Sequence, residues 1–230
     1  LPGFAHAEDE RLARALAVLA DESLDAVVCT GDIVDGTGCP DGVVRQLREA
    51  QVLTVQGNHD RWLLGNKARH VPDAHDAGSL DEVTLEYLTN LPATRELQTA
   101  TGPLLLCHGV GDDDLRKVWP GSERMPPERS NRLDQLIQRG RYRFVINGHM
   151  HFRVLVHFQQ LTLMNAGTLR GEHNPGFSVI DFIEESITPY TLVDQGVEQR
   201  PTVSLSALPD RRVWRNTQEF DSNWQPTRLF

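Results

Sequence analysis

Four short apolar runs in this chain each end on residues that bind metals or move protons. Residues 26–30 (AVVCT) lead to Gly31-Asp32, and residues 52–56 (VLTVQ) lead to Gly57-Asn58-His59-Asp60. Residues 103–107 (PLLLC) lead to His108-Gly109, and residues 142–147 (YRFVIN) lead to Gly148-His149-Met150-His151. Continuous apolar runs of this length mark strands buried on both faces, as in parallel sheets covered by helices. Sheets of this kind bind ligands beyond the carboxyl ends of their strands. Four adjacent strand ends would therefore gather Asp32, Asn58, His108, His149 and His151. A glycine beside Asp32, Asn58, His108 and His149 lets the backbone turn sharply and approach an ion closely.

Between these runs the apolar spacing is helical. Residues 8–20 place Leu12, Leu16 and Leu19 on one face, with acidic residues at the positive end of the helix. Residues 42–50 and 127–139 repeat the pattern, a further helical piece opens at 62–64, and Ser79 with Glu82 fits a capping box for a helix ending near 90. From residue 154 the chain turns to hairpins, over 154–158, 161–165, 177–183 and 187–193, with 184–186 as a natural turn. Alternating strands and helices followed by hairpins predict an α/β fold, a sandwich of mixed sheets. Residues 1–199 would form the main domain. Residues 200–230 lose periodicity, but Trp214, Phe220, Trp224 and Phe230 predict a tail that packs on that domain.

Composition narrows the classes. With 230 residues, 39% of them hydrophobic, the chain can bury a sizeable core. It has no apolar run of about 18 residues, so no membrane-spanning helix is expected. Three cysteines make no disulfide framework, which favours a reducing, cytoplasmic setting. A net charge of -9 argues against nucleic acid as a partner held by a basic face.

Each donor stretch alone has a plainer explanation, as a turn, an Asx bond or a satisfied histidine at a strand end. Their conjunction, in order and each after an independently expected strand, is what points to a metal centre. Carboxylate, amide oxygen and imidazole without thiolate suit manganese, iron, zinc or cobalt better than calcium or magnesium.

The same stretches resemble the calcineurin-like metallophosphoesterase superfamily, and within it the small bacterial phosphodiesterases and phosphatases. The family pattern is Asp-x-His, Gly-Asp, Gly-Asn-His-Asp/Glu, His and Gly-His-x-His. This sequence supplies the last four elements, and Asn165-Ala166-Gly167-Thr168 follows the histidine pair as in the small bacterial members. The resemblance implies an αββα sandwich of two mixed sheets flanked by helices. It also implies two divalent metal ions and a phosphate-ester substrate, monoester or diester.

By resemblance, Asp32 would bridge the two metals, and Asn58, His108 and His149 would complete the shell of one. His151 would bind the other, whose Asp-x-His ligands are missing from their expected place, leaving that site incomplete. Leu1-Pro2-Gly3-Phe4 reads as the loop after that motif, and His6 could stand in as a ligand, though a solvated histidine just before a helix is the favoured reading. His59 would be the general acid that protonates the leaving alcohol, with Asp60 fixing its tautomer. Arg61 is a weaker candidate for contact with a phosphate oxygen, against the plainer expectation of an ion pair. The alternative to an esterase is a catalytically weak or inactive scaffold or binding protein of the same fold.

Overall fold

The computed structural model describes residues 5–194 and 196–230. The stretch 1–4, expected to be a loop, lies outside the described residues. Helix α1 (Asp9–Ala20) precedes strand β1 (Val28–Cys29), helix α2 (Pro40–Glu49) and strand β2 (Leu53–Thr54), and the two strands pair in parallel. Pro40 starts α2 at a position where a missing N–H costs nothing, and the Cys39 sulfur accepts the Gly42 N–H at 3.4 Å. Helices α3 (Asn58–Leu64) and α4 (Glu82–Thr89) follow. The expected Ser79 cap is not the one used. Asp81 caps α4, its Oδ1 accepting the Thr84 N–H at 2.6 Å, because this charged acceptor stands immediately before the first helical residue, two positions beyond Ser79.

Strands β3 (Thr94–Thr99) and β4 (Gly102–Cys107) form a hairpin, helix α5 (Asn131–Arg139) crosses over, and β5 (Phe144–Asn147) pairs with β4 in parallel. Strands β6 (Arg153–Phe158) and β7 (Thr162–Ala166) complete the centre of this sheet, with β7 parallel to β5. A second, antiparallel sheet holds β8 (Gly176–Asp181), β9 (Ser186–Val193), β10 (Gly196–Gln199) and β11 (Val203–Ser204) around β9. The C-terminal residues add β12 (Val213–Trp214) and β13 (Thr227–Arg228), both on β6. The large sheet thus has seven strands among the described residues.

Side-chain alternation along β4 and β5 sorts the core into layers. Leu104, Leu106, Phe144 and Ile146 face inward, where they meet Val28, Val55, Ile187 and Leu205 from the opposite layer. Leu105 and Val145 face outward, under Leu133 and Ile137 of α5 and the tail residues Trp214 and Phe220. On the far side, α1 and α2 cover β1 with Leu12, Val43 and Leu47. The order helix, sheet, sheet, helix is the αββα sandwich expected.

Two details differ from expectation. The second layer is not one mixed sheet: among the described residues β1 and β2 form their own parallel pair beside the antiparallel sheet. Each is only two residues long, because the chain leaves β1 at Gly31 (φ 92°) and turns into a helix directly after Gly57. The four donor-bearing strands are therefore not neighbours in one sheet. They are two parallel pairs, β1 with β2 and β4 with β5, facing each other across the core. No helix among the described residues is long and apolar enough to cross a membrane.

Candidate metal centre

The ends of those two strand pairs converge. Asp32 and Asn58 arrive from one layer, and His108, His149 and His151 arrive from the other. Asp32, Asn58 and His108 are all buried to 1% exposure. The His108 Nε2 lies 2.9 Å from the Asn58 Oδ1 and 3.2 Å from the Asp32 Oδ2, while the His149 Nδ1 lies 2.9 Å from the same Asn58 oxygen.

The turns that place them are costly for residues with a side chain. Asp32 (φ 46°), His149 (φ 63°) and His151 (φ 59°) all sit in the left-handed region, a concentration of strain of the kind found at functional sites. Glycine is required where the loops touch. A Cβ on Gly31 would stand 2.5 Å from the Gly57 nitrogen, and one on Gly57 would stand 2.1 Å from the Asp32 Oδ1. The Gly-Asp and Gly-Asn turns thus pack backbone against backbone. On the other side, the Asn165 amide donates to the Gly148 carbonyl at 3.0 Å and supports the turn that carries both histidines.

His6 is a correction. It was expected to be solvated, yet it is 1% exposed. Its N–H donates to the Asp32 carbonyl at 2.7 Å, and the Ala7 N–H donates to the Ile33 carbonyl at 2.7 Å, so the segment before α1 runs alongside the Asp32 turn. The His6 Nε2 then lies 3.1 Å from the His151 Nε2 and 3.9 Å from the Asp32 Oδ2. Ligand atoms of His6, Asp32 and His151 all fall within 4.8 Å of one another, a group that could hold a metal ion. In the sequence His6 stands shortly before the first helix, outside any periodic run.

These residues fit metal ions on their hydrogen bonding as well as their chemistry. A ligating imidazole characteristically donates its other N–H to a carbonyl or carboxylate. His108 gives its Nδ1–H to the Thr30 carbonyl at 2.7 Å, and His6 gives its own to the Asp35 carbonyl at 3.0 Å, so both aim Nε2 into the cluster. Burial lowers the proton affinity of His6 to about 4. Burial and His108 lower His149 to about 4, and burial and His6 lower His151 to about 3. Imidazoles held neutral offer the lone pairs that a metal needs. Burial alone would raise the Asp32 carboxyl, but His108, His6 and His59 hold it well below the usual carboxylate range.

His59 has a different partner from the one expected. Its Nδ1–H donates to the Asp35 Oδ2 at 2.7 Å, and its ring edge meets His6 at 5.2 Å between centroids. Asp35 also receives both terminal nitrogens of Arg69, at 2.9 and 3.0 Å, and the His75 N–H at 3.0 Å. Burial opposes its charge, yet these donors bring the Asp35 carboxyl down to about 2. Burial also opposes charge on His59, but Asp35 and Asp32 outweigh it and raise the imidazole's proton affinity.

Asp60 does not orient His59. The two are consecutive residues of α3, and neighbours on a helix point about 100° apart. Asp60 Oδ1 instead accepts the N–H groups of Ile33 and Val34 at 2.7 and 3.2 Å, and Oδ2 accepts the Gly57 N–H at 2.9 Å. It ties the Gly-Asp turn to the start of α3. Burial and Asp32 push its carboxyl up to about 7, against three donors that favour the charged form. Asp60→Ala is therefore expected to act on stability, stranding buried donors at about 1–3 kcal/mol each. Urea unfolding should show a loss of about 3 kcal/mol or more; an unchanged midpoint would remove the tie.

Arg61 follows the plainer expectation. Its guanidinium forks onto Asp114 at 2.6 and 2.8 Å, on the rim of a side cavity with Gln56, Ala93 and Gly111.

The profile of the calcineurin-like phosphoesterase superfamily domain matches residues 5–184. The chain belongs to the calcineurin-like phosphoesterase superfamily. No curated protein matches it closely enough to add to that. Among solved structures, this chain is similar to the phosphoesterase Yfce from E. coli. Identity there is 18%, coverage is 89% of this chain and 97% of that one, and the TM-score is 0.54. A metallophosphoesterase from Sphaerobacter thermophilus gives 16% identity, coverage of 84% and 87%, and a TM-score of 0.61. A single mutant of Vps29 from Entamoeba histolytica gives 18% identity, coverage of 83% and 88%, and a TM-score of 0.51. At these identities the likeness is one of fold.

Proposed function

We propose that the protein is a metal-dependent hydrolase of phosphate esters, monoester or diester. One observation carries this reading: two donor groups, His6 with His151 and Asn58 with His108 and His149, share Asp32 and lie beside the His59–Asp35 pair. Two divalent ions, manganese, iron or zinc by the mixed oxygen and nitrogen donors, would be held there. When bound, such ions supply Lewis-acid polarisation of the phosphoryl group and acidify a water molecule.

The chain's own residues do the rest. Asp32 keeps the two donor groups in register, since its Oδ2 faces both His108 and His6 while its Oδ1 accepts the His59 N–H at 2.9 Å. Asp35 takes the His59 Nδ1–H, which leaves Nε2 as the atom that carries a transferable proton. His59 is in part open to solvent, so that proton can reach the departing alkoxide. Asp35 is itself fixed by Arg69, and the imidazole is delivered in one tautomer and one orientation.

A second reading, a scaffold or binding protein with little catalysis, is supported by the Vps29 fold among the similar structures. The His59–Asp35–Arg69 arrangement weighs against it, because a scaffold has no use for an oriented proton donor. Turnover of a chromogenic monoester and a chromogenic diester, measured with added manganese and again with excess chelator, separates the two. Metal-dependent turnover supports the hydrolase. Folded, metal-loaded protein that turns over neither ester supports the scaffold.

A further inference from the structure

The loop between β7 and β8 carries a cation that the site as described does not use. Arg170 lies in this loop, and so does His173, whose Nδ1 is 3.3 Å from the Nδ1 of His151. The loop is set firmly. The Arg170 N–H donates to the hydroxyl of fully buried Thr168 at 3.0 Å, and the His173 N–H donates to the Arg170 carbonyl at 3.1 Å. Arg170 reaches toward Asp73, whose carbonyl accepts the Gly36 N–H at 3.0 Å beside the Asp32–Asp35 turn. Its charge is felt at His6, where it opposes protonation. With His173 of the same loop against His151, the loop that carries Arg170 stands by the His6–His151 side of the centre.

The three arginines near the site are not equivalent. Arg69 has both terminal nitrogens on Asp35, and Arg61 is forked onto Asp114. Arg170 is three-quarters covered, at 24% exposure. Its carboxylate neighbours are the Asp73 Oδ2 at 3.5 Å and the Glu172 Oε2 at 3.7 Å, both too long for good charge-assisted hydrogen bonds. Both carboxylates are themselves well exposed, at 41% and 77%, and are free to yield. Covering an arginine stem while leaving its planar fork loosely paired suits a bidentate oxyanion ligand, and phosphate matches the fork's geometry.

We propose that Arg170 binds the non-bridging oxygens of the substrate's phosphate, holding the ester against the His6–His151 side of the centre. This rests on the hydrolase reading given above. Arg170 is a substrate-binding residue on this account and takes no part in holding metal.

The test is inorganic phosphate binding to manganese-loaded protein by calorimetry, for wild type, Arg170→Met and Arg170→Lys, with metal content measured on each. Losing charge-assisted bonds of this kind should weaken phosphate binding by about 10–100-fold in Arg170→Met, with metal content unchanged. Arg170→Lys keeps the charge but not the fork, and should fall between the two. If wild type binds phosphate and both variants bind it equally well, Arg170 has no such role and the hydrolase reading stands. If wild type itself binds no phosphate while metal-loaded, the assignment of Arg170 is overturned, and the hydrolase reading is decided separately by ester turnover. Should Arg170→Met not fold, Arg170→Lys alone decides, since equal binding by it would show that the fork is not used.

Discussion

Asp32→Ala is expected to deplete both donor groups of metal and to lower turnover by on the order of 10³-fold or more. That scale corresponds to losing several kcal/mol of charge stabilisation. The carboxylate faces both sides: its Oδ2 lies 3.2 Å from the His108 Nε2 and 3.9 Å from the His6 Nε2. Removing it takes away a shared ligand and leaves His108, His6 and His151 crowded without a counter-charge. It also frees the His59 N–H that the Oδ1 accepts, so the start of α3 loses an anchor. Elemental analysis of the purified variant, set beside its turnover, is the measurement. Metal content equal to wild type would mean that Asp32 does not join the two groups, however much activity was lost.

His59→Ala should separate what Asp32→Ala combines. Metal content should hold, and turnover should fall by about 10²–10⁴-fold, the range typical of a general acid. The loss should depend on the ester. A substrate that releases a weakly basic phenol needs little help from a proton donor, whereas an alkyl ester needs it fully, so the alkyl ester should suffer most. Asp35→Asn should follow the same ester dependence with a smaller loss, because the imidazole would remain but without a fixed tautomer. Equal losses on both kinds of ester would point to a role for His59 in binding and not in proton transfer.

The strand ends were legible from sequence because buried strands leave continuous apolar runs, and the donors stand directly after them. What was misread depended on local backbone geometry. His59 and Asp60 are adjacent in sequence, which suggested a pair, but α3 begins at Asn58 and turns the two side chains apart. Asp35 was overlooked for the converse reason. It stands three residues beyond Asp32 in a turn where both have positive φ, at 64° and 46°, and no periodicity announces where such a side chain will point. His6 lies outside any periodic element, so its spacing favours a solvated side chain over a ligand. Its burial comes from backbone pairing with residues 32 and 33, a contact between distant parts of the chain. Strand β3, sequence TRELQT, left no signal because a half-exposed edge strand has no apolar run.

The C-terminal strands carry a consequence beyond the site. Strand β6, six buried residues beginning two positions after His151, is flanked on one side by β7 and on the other by β12 and β13. Both flanking pieces come from residues past 184, where the superfamily profile stops. A fragment cut at that boundary would leave an apolar strand with a bare row of backbone donors and acceptors, a template for self-association between copies. The last thirty residues thus act as a sheath over that edge, and removing them should make copies of the chain associate through β6.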